Sequence, residues 1–307
     1  MTPRVLGALL VAVSAASFGA MAIFARYAHA DGADVIAVLF LRFSIASVLM
    51  SVYMLMARRR WPRGRNLAVL AVMGGAGYVG QSFAFFSALN HASAGLVALL
   101  LYLYPFLVTV LGALFLREPL GLGRVIAVLA ALGGTALTLG GGIAGEPLGV
   151  ALGLAAALIY SVYILAGSRV LTTEDALGAA TVVMISAALV FGAIALATAP
   201  RFPTAPVGWA AVLAIAVVST VIAMGGFFAG IRRLGAADAA TLSTLEPVVT
   251  IVLAAVFLHE PLNPLQLIGG AVILTAVVWL TRSRASPRIQ TGEEATKAAA
   301  GGANAAS

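Results

Sequence analysis

The chain has 307 residues, of which 62% are apolar and only 9% charged, and its mean hydropathy is +1.07. Soluble domains carry about 25% charged residues, so a water-soluble globular fold is excluded, and the net charge of +7 reads as membrane orientation rather than nucleic-acid binding. The absence of cysteine excludes disulfide and thiolate chemistry, and the scattered His29, His91 and His259 form no metal-binding motif, so neither metal nor cofactor is expected.

Apolar runs of about 20 residues, enough to cross about 30 Å of hydrocarbon, predict ten spans. They fall near residues 5–25, 35–56, 67–89, 95–116, 125–141, 148–166, 177–198, 207–229, 236–258 and 265–281. The first resembles a signal peptide, with Arg4 before an Ala/Ser-rich stretch. Its Gly7 and Leu10, however, align with Gly149 and Leu152 at the start of the sixth span, so a mature helix is expected. With the N-terminus inside, all Lys and Arg residues except Arg26, Arg42 and Arg201 fall on the cytoplasmic side. Residues 285–307, rich in Ala, Gly, Ser and Thr, read as a disordered cytoplasmic tail.

One stretch occurs twice. Residues 99–120, LLLYLYPFLVTVLGALFLREPL, and 241–262, TLSTLEPVVTIVLAAVFLHEPL, align without a gap at an offset of 142. Phe85 and Phe86 likewise match Phe227 and Phe228, and Ile126 matches Ile268. Five spans per copy is an odd number, so the second copy enters the membrane inverted. The expected fold is therefore an all-α membrane protein of ten transmembrane helices in two inverted repeats, residues 1–142 and 143–284, with both termini cytoplasmic. Inverted repeats are a signature of secondary transporters that open alternately to either side of a midplane site.

The proline-centred fourth and ninth spans, Leu245-Glu246-Pro247-Val248, the two Glu-Pro-Leu closures and Leu41-Arg42-Phe43 together resemble the EamA family of the drug/metabolite transporter superfamily, over about residues 5–282. The resemblance implies a cavity formed mainly by spans 1, 3, 4, 6, 8 and 9, and members that export amino acids or other small metabolites.

Pro105 and Pro247 each remove a backbone N–H and free the carbonyl four residues earlier, at Leu101 and Ser243, so a kink, hinge or substrate-binding backbone is expected. Glu246 lies about 15 Å into its span, where a carboxylate needs a partner. It either binds a substrate amine, carries a proton or holds the kinked helix, and Thr250 extends its polar face. Arg42 lies about 10–12 Å into the second span and is expected to be structural, with Ser44, Ser47 and Ser51 as local partners and Glu246 as a further possibility. Helical spacing puts Gly74, Tyr78, Gln81 and Phe85 on one face, and Ala98, Tyr102, Pro105 and Thr109 on another. Ser14, Ser17 and Met21, with Tyr160 and Tyr163, complete the expected binding surface. Glu118 and Glu260 are expected to cap helices structurally, and Gly133, Gly134, Gly269 and Gly270 to permit close helix packing.

The leading expectation is a carrier exporting a small metabolite, an amino acid or a related compound, across the inner membrane, with lipid and a small solute as partners and a monomeric or homodimeric state. Drug or cation efflux, or metabolite uptake, is the alternative. A membrane-embedded enzyme is the remote alternative, because catalytic groups are nearly absent from the spans.

Overall fold

The structure is a computed structural model that describes residues 2–88, 91–92, 94–116, 121–139, 145–259 and 262–283. The expectations for Glu118, for Glu260 and for the tail lie outside the described residues.

Among the described residues ten apolar rods occur: α1 (Pro3–Ala30), α2 (Val35–Met56), α3 (Gly64–Phe85), α4 (Leu96–Leu116), α5 (Leu122–Leu137), α6 (Pro147–Val170), α7 (Ala176–Thr198), α8 (Pro206–Leu234), α9 (Ala236–Phe257) and α10 (Pro264–Leu280). Eight are long and apolar enough to cross a membrane, while α5 and α10 are shorter. Local chemistry sets their starts. Proline occupies the first turn of α1, α6 and α8, where its missing N–H costs nothing. Thr2, Asp34 and Asp175 cap α1, α2 and α7 by accepting from Val5, Ala37 and Gly178 N–H.

Hydrogen bonds and ion pairs sort the loops onto two faces. On the face carrying the N-terminus, Arg4 Nη2 donates to the Leu280 carbonyl (3.3 Å), and Asp175 stands 3.6 Å from Arg59 and 3.9 Å from Arg232. On the opposite face, Asp31 accepts from Thr204 N, Thr204 Oγ1 and Ala205 N, and Asp34 accepts from Arg201 N. His91 Nδ1 lies 3.0 Å from Glu146 on that same face.

Five rods are interrupted: α1 at Ala20, and four others in matched pairs. α3 carries a π-turn at Met73–Tyr78 and α8 one at Val217–Ile222. α4 breaks between Leu101 and Tyr104, and α9 between Leu242 and Leu245, each just before its proline. The Ser243 carbonyl expected to be free accepts from Glu246 N–H (3.0 Å), because the chain tightens to a three-residue turn at the break.

Small residues set the closest approach between α5 and α10. A Cβ at Gly134 would stand 2.7 Å from the Gly269 carbonyl, so only glycine fits there. Gly133 faces open space and Gly270 has an ordinary van der Waals neighbour in Val248, so neither needs to be glycine for packing.

Candidate functional site

A cavity of about 440 Å³ lies at the centre of the bundle. Its walls come from α1 (Phe18, Met21, His29), α2 (Val38, Leu39, Arg42), α3 (Tyr78, Gln81, Ser82, Phe85), α4 (Tyr102, Tyr104), α6 (Tyr160), α8 (Ile215) and α9 (Glu246, Pro247, Thr250). Helix α2 thus joins the expected set of lining helices. The cavity extends to His29 and Val35, at the face opposite the N-terminus. A larger groove, about 580 Å³, runs between α3 and α6, but Val72, Leu158 and Val162 in its wall are exposed on the outside of the bundle. It is an apolar outer surface that suits lipid tails.

Glu246 sits on the first turn after the α9 break, so its side chain points from a helix start into the cavity. The Tyr102, Tyr104 and Tyr160 phenols line the same cavity and stand within electrostatic reach of the Glu246 carboxylate. Thr250 Oγ1 donates to the Glu246 carbonyl (3.0 Å) and to the Gly19 carbonyl of α1 (3.2 Å). The phenols form a continuous cluster: Tyr104 meets Tyr160 edge to face at 4.8 Å, and Tyr160 stacks on Tyr163 at 5.9 Å. Edge-to-face and offset contacts of this kind order aromatic walls without closing the space between them.

Arg42 forms the opposite pole. It is 3% exposed, donating through Nε to Thr220 Oγ1 (3.1 Å) and through Nη1 to Met21 Sδ (3.0 Å). Its Cζ lies 4.7 Å from the Phe43 ring centre and 5.8 Å from that of Tyr78. The serines of its own helix do not serve it, since Ser47 donates to the Ser44 carbonyl instead. Among the described residues no ion pair joins Arg42 to Glu246, although both line the same cavity.

Several expected lining residues lie elsewhere. Ser17 is buried, three residues from Ser14, which donates to the Ala223 carbonyl. Only Ser14 is tied to α8, and neither serine lines the cavity, whereas Met21, just past the interruption of α1 at Ala20, does. Tyr163 stands behind the wall, packed on Tyr78 and Phe228. Pro105 is buried within α4, whereas its counterpart Pro247 reaches the cavity. Gly74 packs against Val183 and Ser186 of α7, because the π-turn adds a residue and rotates it away from Tyr78.

Sequence reasoning missed Asp238. It is 2% exposed in the first turn of α9, 3.2 Å from Arg124 Nε and 3.5 Å from Arg4 Nη2. One carboxylate thus ties α1, α5 and α9 together on the face bearing the N-terminus, at the end remote from His29. The signal was available as an aspartate inside a predicted span with two arginines at span starts.

The EamA-like transporter family model matches the chain twice, over residues 5–140 and 147–282. The Bacillus subtilis "Uncharacterized transporter YcbK" is 30% identical over 86% of this chain and 88% of its own length. The "Probable terminal-alkyne amino-acid exporter" of Streptantibioticus cattleyicolor is 28% identical over 82% and 86%. The threonine/homoserine exporter RhtA of Escherichia coli K12 is 28% identical over 77% and 78%. A crystal structure superposes with a TM-score of 0.80 at 23% identity, covering 90% of this chain and 98% of the other, and carries the fold alone.

Proposed function

Because the chain belongs to the EamA-like transporter family, and is thus a multi-pass transporter of the inner membrane, we propose that it exports a small amino acid or related metabolite by alternating access. The observation that carries this reading is a central cavity holding a carboxylate, Glu246, among Tyr102, Tyr104 and Tyr160. A carboxylate in an apolar bundle is costly unless it has a task or a partner, and here it faces space rather than a cation. Phenol and phenyl walls suit an organic solute with an apolar part. The names of two relatives, both exporters of amino acids, favour the same class.

The mechanism follows from the two ends of the cavity. The arginine-rich face that carries Arg4, Arg59, Arg124 and Arg232 is cytoplasmic by the distribution of loop charge. Asp238 closes that face by holding Arg4 and Arg124, while the cavity extends toward the other side at His29. This conformation therefore corresponds to the one that releases an exported solute. Exchange of conformations between two inverted repeats, residues 1–142 and 143–284, breaks the Asp238 cluster and opens the cavity inward. Glu246 binds the substrate amine, and proton exchange at that carboxylate is the means of coupling. The hinges lie at the breaks preceding Pro105 and Pro247.

Cation or drug efflux is the second reading, favoured by the same carboxylate and aromatic walls. Flux measured in proteoliposomes across amino acids and organic cations separates the two. Accumulation of neutral amino acids supports the proposal; transport of cations alone, or of nothing in the panel, overturns it.

A further inference from the structure

We propose that Arg42 is the residue that recognises an anionic group of the solute, so that the cavity takes a dipolar molecule with its carboxylate at Arg42 and its amine toward Glu246. The inference rests on the transporter reading above but names a group that this reading does not use.

The two π-turns converge on this one side chain. Tyr78, the last residue of the first, lies beneath the guanidinium, and Thr220, within the second, accepts from its Nε. Thr220 is available there because its own Oγ1 donates to the Ile215 carbonyl five residues back (2.9 Å). π-turns inside α-helices frequently mark functional sites, and the two here hold a single cation in place.

What holds Arg42 is electrically incomplete. Its partners are a hydroxyl, a thioether and two ring faces, none of which carries a negative charge. Nη2 has no hydrogen-bond partner at all and is sealed from water; the one other buried side-chain atom in that condition among the described residues is Ser219 Oγ, the neighbour of Thr220. A buried guanidinium stays charged, and an unmet N–H on a buried cation is costly. Nη1 is served by Met21 Sδ, a weak acceptor on a flexible chain that also lines the cavity. A carboxylate entering from the cavity displaces the thioether and takes Nη1 and Nη2 together. That is the two-pronged geometry for which the guanidinium fork is built. A cation brought to this wall would instead meet a like charge, so the site discriminates against the substrates that Glu246 alone would accept.

The test uses the purified full chain in lipid nanodiscs and three ligand series built on leucine, threonine and phenylalanine. Each series comprises the amino acid, the amine left on removing its carboxyl group, and the acid left on removing its amino group. Calorimetric affinities are measured for wild type, Arg42→Gln and Arg42→Lys, each first checked for a single gel-filtration peak. The wild type should bind at least one amino acid about tenfold or more tighter than its amine. Arg42→Gln should lose that preference without weakening the amine, and Arg42→Lys should retain part of it. Amino acids that bind equally well to wild type and Arg42→Gln would overturn the role of Arg42 and leave the amino-acid reading standing. Deaminated acids that bind alone, and depend on Arg42, would uphold the role of Arg42 but overturn the dipolar solute and the amino-acid reading. Amines that bind in place of carboxylates, or no binding in any series, would overturn both. Should Arg42→Gln fail to fold, the wild-type ranking of acid over amine and the Arg42→Lys affinities decide the matter.

Discussion

Helices α4 and α9 are two copies of one sequence, and they divide backbone from chemistry. Both break just before a proline, with Pro105 and Pro247 standing 142 positions apart. Each is crossed at the same matched position by a helix of the other half. Gly19 of α1 packs against the Glu246 backbone, and its counterpart Ser161 of α6 donates to the Tyr104 carbonyl (3.4 Å). At that crossing the copies part company, since Glu246 faces the cavity as an acid and Tyr104 as a phenol whose hydroxyl reaches the Ala240 carbonyl (3.4 Å). Duplication preserved the path of the chain, because packing depends on shape and on the missing proline N–H. It left the cavity side chains free to diverge, because a solute binds from one direction at a time and needs unlike poles.

That contrast can be broken most severely at its charged member. Glu246→Gln should lower transport by about 10- to 100-fold, the value of hydrogen bonds to a charged group, and should abolish any pH dependence while sparing expression. Tyr104→Phe removes a neutral hydrogen bond and should cost less than about tenfold. Initial rates in proteoliposomes across a pH series measure both, and equal losses would mean that the halves are chemically alike.

The first turn of α9 offers the next test, since Asp238 has the apolar Leu96 as its counterpart in α4. Asp238→Asn removes the charge held against the buried Arg124, and breaking such a pair costs about 3 kcal/mol. A melting temperature lowered by several degrees in detergent is expected, together with increased maleimide labelling of a single cysteine introduced at the N-terminal face of this otherwise cysteine-free chain. An unchanged melting point and labelling pattern would show that the cluster closes nothing.

At the crossing itself, a Cβ on Gly19 would stand 2.8 Å from the Glu246 carbonyl. Gly19→Ala should therefore cost about 1–3 kcal/mol through overpacking and disturb Glu246, whereas Ser161→Gly should cost about 1 kcal/mol. Thermal unfolding of the two variants side by side would reveal whether α1 and α6 are packed to the same tolerance. The smallest effect belongs to the solvent-facing pair His91 and Glu146, where His91→Ala should change stability by less than about 1 kcal/mol.

Hydropathy and the 142-residue offset made the apolar rods and the family legible, because a hydrocarbon layer demands long apolar helices and duplication repeats them in register. Glu246, Tyr78, Gln81, Tyr102, Tyr160, Met21 and Thr250 were found as cavity residues from depth and helical spacing alone. Ser17 and Pro105 lie beside the breaks in α1 and α4, where spacing arguments that assume an unbroken 3.6-residue helix lose their register, whereas Tyr163, on the unbroken α6, packs behind the wall on Tyr78 and Phe228. Each interruption rotates the remainder of its helix, by an amount that packing against neighbouring helices sets.

The sequence by itself determined that this chain lives in a membrane, that it is built twice, and that an acid, Glu246, lies deep within a span. Those are properties of composition and of local hydrogen bonding, which a segment carries wherever it goes. Only the tertiary structure decided that Arg42 belongs to the same cavity as Glu246, that two π-turns hold it there without a counter-charge, and that Asp238 pairs with Arg4 and Arg124 at the far end. Each of these joins different helices, most of them more than a hundred residues apart, and no local pattern records which distant side chain will face an unpaired charge.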